Sequence, residues 1–307
     1  MQIIRQLSEP FEGKSTVALG FFDGVHMAHR AVISRALTAR KAGERCIVFS
    51  FSTGKARPTK KQSAKWLMTE QQKEAALEGM GVDVFLEPPF EDICSFTPEE
   101  YADYLVNGLN VTTVACGYDY RFGKGAAGTA DDLVSMLTPL GIDVEKVPVV
   151  LDGGEPVSST RIRALLQDGH PEEAARLLGT PFSLCSPVVH GRGIGHSLGF
   201  PTANQRFPEG LIVPRNGVYA TRVWVDGSAY PAVTNVGYKP TVGDTLPGAE
   251  SCLLDFSGDL YEKEIRTEFL HFLRDEHKFD SLEELSAQIS RDADETRKLV
   301  AIEKAGQ

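Results

Sequence analysis

The stretch Val17-Ala-Leu-Gly-Phe-Phe-Asp-Gly-Val-His-Met-Ala-His-Arg30 decides the fold of the first half of this 307-residue chain. Its apolar beginning, from Val17 to Phe21, is short enough to predict a fully buried strand. The Asp-Gly pair that follows predicts a tight turn, and the residues after it predict a helix that ends at Gly43. The stretch therefore predicts a strand, a turn and a helix in close succession.

Two histidines stand at the start of that predicted helix. His26 and His29 are three residues apart and so share one face of the helix. A helix N-terminus offers free N–H groups and a partial positive charge, and two imidazoles there can donate hydrogen bonds to phosphate oxygens. Phosphate binding is one hypothesis for this turn. A surface histidine pair and half of a metal site are the alternatives.

The residues up to about 150 repeat the alternation of strand and helix. Thr69-Glu-Gln-Gln72 and Thr97-Pro-Glu-Glu100 each place a threonine three residues before Gln or Glu, which predicts two helix starts with capping boxes. A further helix is predicted over 129–140. Apolar runs at 46–51, 82–86, 111–116 and 144–150 predict the strands between them. The alternation predicts a parallel sheet covered by helices, with ligands beyond the carboxyl ends of its strands.

Two loops follow predicted strands and carry unusual chemistry. Gly117-Tyr-Asp-Tyr-Arg-Phe-Gly-Lys-Gly125 combines a carboxylate, a guanidinium, aromatic rings and glycines. Val157-Ser-Ser-Thr-Arg-Ile-Arg163 begins a helix with three hydroxyls and two guanidiniums. An N-cap role for Ser159 or Thr160 accounts for one hydroxyl. The positive charges of Arg161 and Arg163 disfavour a helix N-terminus unless an anion is bound, which favours a phosphate site.

The second half has a different pattern of predicted secondary structure. Thr180-Pro181 marks a predicted boundary between domains at 1–180 and 181–307. Short β-rich runs at 184–190, 217–225, 229–235, 252–256 and 265–272 follow without intervening helices, which predicts an antiparallel barrel or sandwich. A capping box at Ser281 predicts a terminal helix.

His190-Gly-Arg-Gly-Ile-Gly-His-Ser-Leu-Gly-Phe-Pro-Thr-Ala-Asn204 is the densest unusual stretch of that half. A flexible glycine-rich segment can bring backbone N–H groups onto phosphates. Thr202 and Asn204 project to the same side of an extended segment, and their oxygens suit Mg²⁺. An ordinary hairpin is the alternative. The residues of this candidate nucleotide site are Gly191, Arg192, Gly193, Gly195, Gly199 and Pro201.

Composition limits the classes of partner. The net charge of -10 argues against nucleic acid, which favours a basic face. The five cysteines are widely spaced and form no zinc or disulfide pattern. There is no signal peptide and no apolar run of membrane-spanning length, so we expect a cytoplasmic protein that does not bind membranes. We expect a monomer or a weak homo-oligomer.

The first half resembles a known family. Phe21-Phe-Asp-Gly-Val-His-Met-Ala-His29 is similar to the nucleotidylyltransferase signature, which binds ATP over this turn. The loops at 117–125 and 157–163 resemble motifs of the prokaryotic bifunctional riboflavin kinase/FAD synthetase family. By this resemblance the adenylation site would include the turn residues Gly20, Phe21, Asp23 and Gly24, the catalytic residues His26, His29 and Arg161, the substrate-binding Asp119 and Arg121, and the phosphate-binding Ser159 and Thr160.

The second half resembles the riboflavin kinase module of the same family over essentially all of residues 182–300. The motifs that carry the resemblance are Leu198-Gly-Phe-Pro-Thr-Ala-Asn204, Asn235-Val-Gly-Tyr-Lys-Pro-Thr241, Asp255-Phe-Ser-Gly-Asp-Leu-Tyr261 and Leu273-Arg-Asp-Glu-His-Lys-Phe279. The resemblance implies Mg²⁺ at Thr202 and Asn204, and Glu250 as the base that takes the flavin's hydroxyl proton. Arg274 is a candidate flavin contact, with a salt-bridged surface arginine as the alternative.

The resemblance implies a Rossmann-like nucleotidylyltransferase domain followed by a riboflavin-kinase β-barrel with a terminal helix. The expected enzyme phosphorylates riboflavin to FMN with ATP and then adenylylates FMN to FAD. Ala28 stands where the family signature has glycine, and the Pro-His-Pro turn of the family is missing after Phe49. These departures define the first alternative, a kinase whose adenylyltransferase domain is inactive. A flavin or nucleotide sensor without turnover is the second.

Overall fold

The computed structural model describes residues 1–7, 10–52, 64–190, 202–238 and 247–305. The chain packs into two compact units. The first consists of Met1–Ala64 and Thr69–Ser158, and the second of Lys65–Met68 and Ser159–Gln307. Among the described helices, none is both long and apolar enough to cross a membrane.

The first unit is a parallel sheet with helices. Its strands are β1 (Gln2–Ile4), β2 (Ser15–Leu19), β3 (Arg45–Phe49), β4 (Val84–Leu86), β5 (Val111–Gly117), β6 (Arg121–Phe122), β7 (Gly128–Thr129), β8 (Asp143–Val147), β9 (Leu151–Asp152) and β10 (Glu155–Pro156). The main sheet has the order β1-β4-β3-β2-β5-β8, and all of its pairs are parallel. The parallel sheet predicted from the sequence is confirmed, and β1 is an additional edge strand.

The helices of the first unit are α1 (Met27–Ala39), α2 (Glu70–Gly79), α3 (Phe90–Ile93), α4 (Pro98–Asp103) and α5 (Ala130–Leu137). Thr69 and Thr97 form the predicted capping boxes with Gln72 and Glu100. Every residue of β2 is buried. Burial raises the pKa of the Cys46 and Cys116 thiols to about 11, so both stay protonated at neutral pH.

The helices of the second unit are α6 (Ser159–Asp168), α7 (Pro171–Leu178) and α8 (Leu282–Ala305). Its strands are β11 (Ser183–Pro187), β12 (Thr202–Arg206), β13 (Gly217–Val225), β14 (Ser228–Tyr238), β15 (Pro247–Leu253) and β16 (Glu264–Arg274). They form an antiparallel sheet in the order β11-β16-β13-β14-β15-β12. A bridge between Val189 and Asn204 brings its two edges together, so the predicted barrel and terminal helix are confirmed.

The barrel has two differently packed faces. Ala203, Ala232 and Leu253 belong to one apolar cluster. Val233 and Cys252, the next residues along their strands, belong to another cluster that includes Ala293 of α8. Successive residues of a strand point to opposite faces, so the second face is the one that packs against α8.

The segment Lys65–Met68, which we call the strap, belongs to the second unit. The backbone N–H of Trp66 donates to the carbonyl of Gly210 at 2.7 Å, and the N–H of Ile212 donates to Trp66 at 2.8 Å. The Nε of Arg163 on α6 donates to the carbonyl of Lys65 at 2.6 Å. Helices α6 and α7 pack in this unit as well, whereas the predicted module boundary at residue 180 remains a prediction.

A buried ion pair lies at the carboxyl edge of the parallel sheet. Lys73 Nζ is 2.8 Å from Glu87 Oε1, and the two side chains are 10% and 3% exposed. Arg5 Nη1 lies 3.2 Å from the other carboxylate oxygen of Glu87. Both cations are therefore neutralised by a carboxylate that is almost fully removed from water.

Replacing Glu87 with glutamine is expected to lower the free energy of unfolding of the first unit by about 3 kcal/mol, because it leaves the Lys73 ammonium buried without a counter-charge. Urea unfolding followed by fluorescence measures the change. Glu70→Gln is the matched control, since Glu70 is a 69%-exposed partner of Arg5 at 3.6 Å and should cost under about 0.5 kcal/mol. Equal effects of the two variants would contradict the prediction.

Candidate functional site

The first candidate site lies where the strand order of the parallel sheet reverses. From β2 the chain continues through β3 and β4 on one side, and β5 and β8 are added on the other. Leu19, the last residue of β2, is in register with Cys116 near the end of β5. Ligands bind at such a reversal, beyond the carboxyl ends of the strands. The His26 turn follows β2 and the Asp119 loop follows β5, so both predicted segments start at this edge.

The turn between β2 and α1 has an unusual backbone. Phe22 and Val25 have φ angles of 56° and 40°, and Gly24 has 88°. For the two non-glycine residues this conformation is strained. A Cβ on Gly20 would lie 2.8 Å from the ring of Phe22, so glycine there leaves room for that ring. Phe22, Asp23 and Val25 are buried, which holds the turn in one conformation.

His26 and His29 lie together at the N-terminus of α1, as predicted from their spacing. His26 is the N-cap residue, and its Nδ1 accepts from the backbone N–H of His29 at 3.4 Å. The two rings stack with centroids 3.5 Å apart. Because Nδ1 of His26 accepts a hydrogen bond, the neutral ring carries its proton on Nε2.

The loop after β5 keeps its predicted polar residues at the surface. Asp119 is exposed, and the N–H of Tyr120 donates to the carbonyl of Gly117 at 3.0 Å, which closes a turn around it. Arg121 is exposed at the start of β6 and is in register with Thr129. The Thr129 hydroxyl and N–H hold the pKa of Asp132 below its usual value, and the charge of Arg121 acts in the same direction. Asp119 and Arg121 are thus available to a ligand of this unit.

Ser159, Thr160 and Arg161 form the first turn of α6 in the second unit. Because the helix begins at Ser159, the capping position falls on Ser158, and neither Ser159 nor Thr160 is the N-cap. That alternative is wrong, since both hydroxyls lie inside the helix. The phosphate-binding roles of these residues remain predictions.

The second candidate site is a row of polar side chains on the barrel. Asn204 on β12 is directly opposite Glu250 on β15, and Thr202 is two residues before Asn204. Residues two apart on a strand share a face, so the three side chains lie together, as predicted for Thr202 and Asn204. The hydroxyl of Thr202 donates to Oε1 of Glu250 at 2.7 Å. The β-rich run predicted at 252–256 begins earlier in the structure, so Glu250 lies within β15 rather than before a strand.

The donor set of this row fits a magnesium ion. The Thr202 hydroxyl commits its proton to Glu250, which leaves the oxygen's lone pairs for a cation. The amide oxygen of Asn204 is a second hard ligand, and Mg²⁺ is usually bound by few protein oxygens together with phosphates. The two residues proposed as magnesium ligands are therefore chemically suited to that ion.

Arg274 is engaged by neighbouring groups. Its Nη2 lies 2.8 Å from Oδ2 of Asp292, whose side chain is 4% exposed. Its Nη1 donates to the carbonyl of Asp275 at 3.2 Å. The guanidinium thus balances a buried carboxylate of α8, which is stronger anchoring than a surface salt bridge. A flavin contact of Arg274 remains a prediction.

The glycine-rich part of the predicted nucleotide site lies outside the described residues. It comprises Gly191, Arg192, Gly193, Gly195, Gly199 and Pro201. His190, which precedes it, stacks on the ring of Tyr261 with centroids 4.0 Å apart.

The structure adds residues that the sequence analysis missed. The Lys73 ammonium lies 5.3 Å from the ring centroid of Phe21, and the Ser50 hydroxyl donates to the Phe21 carbonyl at 3.2 Å. On the barrel, Asn235 of β14 is directly opposite Glu250. No local pattern in the sequence marks these residues, because each contact joins positions far apart in the chain.

Comparisons with known proteins identify two family matches in successive parts of the chain. The family model described as FAD synthetase matches residues 8–161, and the one described as riboflavin kinase matches residues 178–300. Curated proteins called bifunctional riboflavin kinase/FMN adenylyltransferase match nearly the full chain. The protein from Bacillus subtilis is 34% identical over 92% of both chains. That from Pseudomonas fluorescens is 35% identical over 98% of both.

A solved structure is similar over almost its whole length. It is described as a macrolide-efflux protein from Streptococcus pneumoniae and superposes with a TM-score of 0.86 at 30% sequence identity. The similarity covers 96% of this chain and 98% of the other. The folds of both units are therefore shared with an experimentally determined structure.

Proposed function

Because the chain belongs to the family of bifunctional riboflavin kinase/FMN adenylyltransferases, we propose that it carries out both reactions. The second unit phosphorylates riboflavin to FMN with ATP. The first unit transfers the adenylyl group of a second ATP to FMN, which forms FAD and releases pyrophosphate. The family match over residues 8–161 favours this reading over a kinase with an inactive adenylyltransferase domain.

The observation that carries the kinase assignment is the contact between Thr202 and Glu250 beside Asn204. Phosphoryl transfer depends on positioning and on neutralising charge. Glu250 accepts the proton of the riboflavin 5′-hydroxyl as that oxygen attacks the γ-phosphate of ATP, and ADP leaves. Thr202 orients the carboxylate through its hydrogen bond. Mg²⁺ held by Thr202 and Asn204 would supply positive charge to the phosphates.

For the adenylyltransferase, the support comes from the strained turn and the N-terminus of α1. The phosphate of FMN attacks the α-phosphate of ATP, and the proposed role of this end of α1 is to stabilise the charge that develops there. His26 donates from Nε2, and His29, whose ring is stacked against it, donates to the same phosphates. Asp119 and Arg121 bind substrate from the β5 side. Ser159, Thr160 and Arg161 are proposed to bind ATP phosphates, as the family resemblance implies.

The test is chromatographic separation of riboflavin, FMN and FAD after incubation of the protein with riboflavin, ATP and Mg²⁺. FMN followed by FAD is the expected result. FMN that accumulates without FAD, even when FMN is the starting substrate, would contradict the second activity. Ala28→Gly then shows whether the alanine is the cause, since a methyl at a point of close approach can obstruct the nucleotide. Absence of both products would refute the enzyme hypothesis.

The remaining inferences concern the binding partners, cellular location and oligomeric state of the enzyme. We propose that it acts on small molecules only, without nucleic acid or membrane, as a cytoplasmic monomer or weak homo-oligomer. The acidic net charge of -10 supports the first part.

A further inference from the structure

A third strand extends the polar row of the kinase site. Glu250 on β15 is in register with Asn204 on β12 and, on its other side, with Asn235 on β14. Cross-strand neighbours have Cβ atoms about 4.5–5.5 Å apart on the same face. Asn235 is thus a direct cross-strand neighbour of Glu250, as Asn204 is on the other side.

The orientation of the Asn235 amide is determined by one contact. Its Nδ2 donates to Oε1 of Glu276 at 2.8 Å. An ionised carboxylate only accepts hydrogen bonds, so the NH₂ group must face Glu276 and Oδ1 must face away. That Oδ1 is buried, and within the described part of the chain no group donates to it. A buried acceptor without a donor is unfavourable, and a ligand that donates a hydrogen bond to it would remove that cost.

Gly237 makes the contact between Asn235 and Glu276 possible. A Cβ at position 237 would lie 2.7 Å from Oε1 of Glu276 and 3.2 Å from Oε2. The φ angle of Gly237 is not in the left-handed region, so the requirement is for space rather than for backbone freedom. Glycine therefore lets an exposed carboxylate from beyond β16 lie across the strand and hold the amide.

We propose that Asn235 is a substrate-binding residue of the kinase site, which accepts a hydrogen bond from a hydroxyl of the polyol chain of riboflavin. Glu276 is the positioning residue that presents Oδ1 to that hydroxyl. The proposal rests on the proposed kinase function and extends it to substrate recognition. The chemistry favours the polyol, because an amide oxygen repels the phosphates of ATP and attracts a hydroxyl donor. Its neighbour Glu250 is the residue that takes the proton of the terminal hydroxyl of the same chain.

The first experiment compares steady-state kinetics of Asn235→Ala, Glu276→Gln and Gly237→Ala. Each variant should raise KM for riboflavin by about three- to tenfold, the value of one hydrogen bond, with kcat and KM for ATP unchanged. Glu264→Gln, an exposed glutamate at the other end of β16, should change nothing. Adenylylation of FMN and the thermal midpoint report whether each variant is folded. An increase in the Mg²⁺ requirement instead would make Asn235 a metal ligand and overturn the proposal.

A reciprocal exchange separates orientation from simple packing. Asn235→Asp alone places two carboxylates at 2.8 Å and should raise KM for riboflavin. In the double variant Asn235→Asp/Glu276→Gln, the new glutamine amide can donate to one oxygen of the new aspartate and leave the other as acceptor. We expect KM to return to within about twofold of the original value, since one hydrogen bond is restored. Failure of the double variant to recover, while it remains folded, would refute the positioning role of Glu276.

Deoxy analogues identify the hydroxyl. Riboflavin that lacks the 2′-, 3′- or 4′-hydroxyl is tested with the original chain and with Asn235→Ala. For one analogue, the increase in KM caused by the missing hydroxyl and the increase caused by Asn235→Ala should not add, because both changes remove the same hydrogen bond. Additive losses for all three would overturn the proposal. If the original chain forms no FMN from riboflavin, the proposed kinase function itself is refuted. If FMN forms but its formation does not respond to substitution of Asn235, only the role of Asn235 is refuted.

Discussion

Glu250→Gln is expected to lower kcat of FMN formation by about 10³-fold, within the range for loss of a positioned general base. Glutamine keeps the size of the side chain and can still accept from the Thr202 hydroxyl, which lies 2.7 Å from Oε1 of Glu250. It cannot take a proton from the attacking hydroxyl. Binding of riboflavin and ATP should change little, so the loss should appear in kcat rather than in KM. Initial rates of FMN formation measured by chromatography check the prediction.

Adenylylation of added FMN is the internal control for this variant. Glu250 belongs to the second unit, and the turn of His26 belongs to the first, so FAD formation from FMN should continue at the original rate. Thr202→Val removes the hydroxyl donor and should lower kcat less than Glu250→Gln does. A Glu250→Gln protein that still phosphorylates riboflavin within about tenfold of the original rate would remove Glu250 from the mechanism.

The second large effect is expected for His29→Asn, which should lower the rate of FAD formation from FMN by about 10²–10³-fold. A preorganised donor beside developing charge contributes on that scale. The substitution removes the ring that stacks on His26 at 3.5 Å, while the backbone N–H that donates to His26 Nδ1 remains. The cap of α1 should therefore persist. The measurement is FAD formation at saturating ATP and FMN.

His170→Asn provides the comparison for that variant. His170 likewise lies at the N-terminal end of a helix, α7, but its ring lies 3.8 Å from Glu172 and Glu173 in the second unit. The same substitution there should leave both activities intact. FMN formation by His29→Asn should also be unchanged. If His29→Asn forms FAD at the original rate, the histidine pair is not part of the adenylyltransferase.

Local signals allowed much of the fold to be predicted from the sequence. A capping box lies within four residues, so Thr69 and Thr97 predicted their helices correctly. The strand at Gly217–Val225 was predicted with its observed limits because its β-rich run is uninterrupted. The strand Thr202–Arg206 was missed as an element, since its polar residues resemble a turn and its pairing partner Pro247–Leu253 is remote in sequence.

The candidate sites were predictable only where their residues cluster in the chain. The spacing of His26 and His29, or of Thr202 and Asn204, fixes their common face without knowledge of the fold. The placement of Asn235 next to Glu250 depends instead on the register between β14 and β15, and the contact of Asn235 with Glu276 spans 41 residues. Such a pair has no local signal. The ion pair of Lys73 and Glu87 was missed for the same reason, because it needs the ends of separate elements to converge.

The strap has a consequence for how this protein is synthesised. Lys65 reaches its partner on α6 across 98 residues, although the strap lies within the sequence of the first unit. A ribosome therefore releases these four residues long before the groups that bind them exist. Until the second unit has been synthesised, the strap lacks the backbone partners near Gly210 and Ile212 and the Arg163 side chain that bind it in the finished protein. A polypeptide that starts at Ser159 lacks the strap altogether, so splitting the gene at that point would not give two complete proteins.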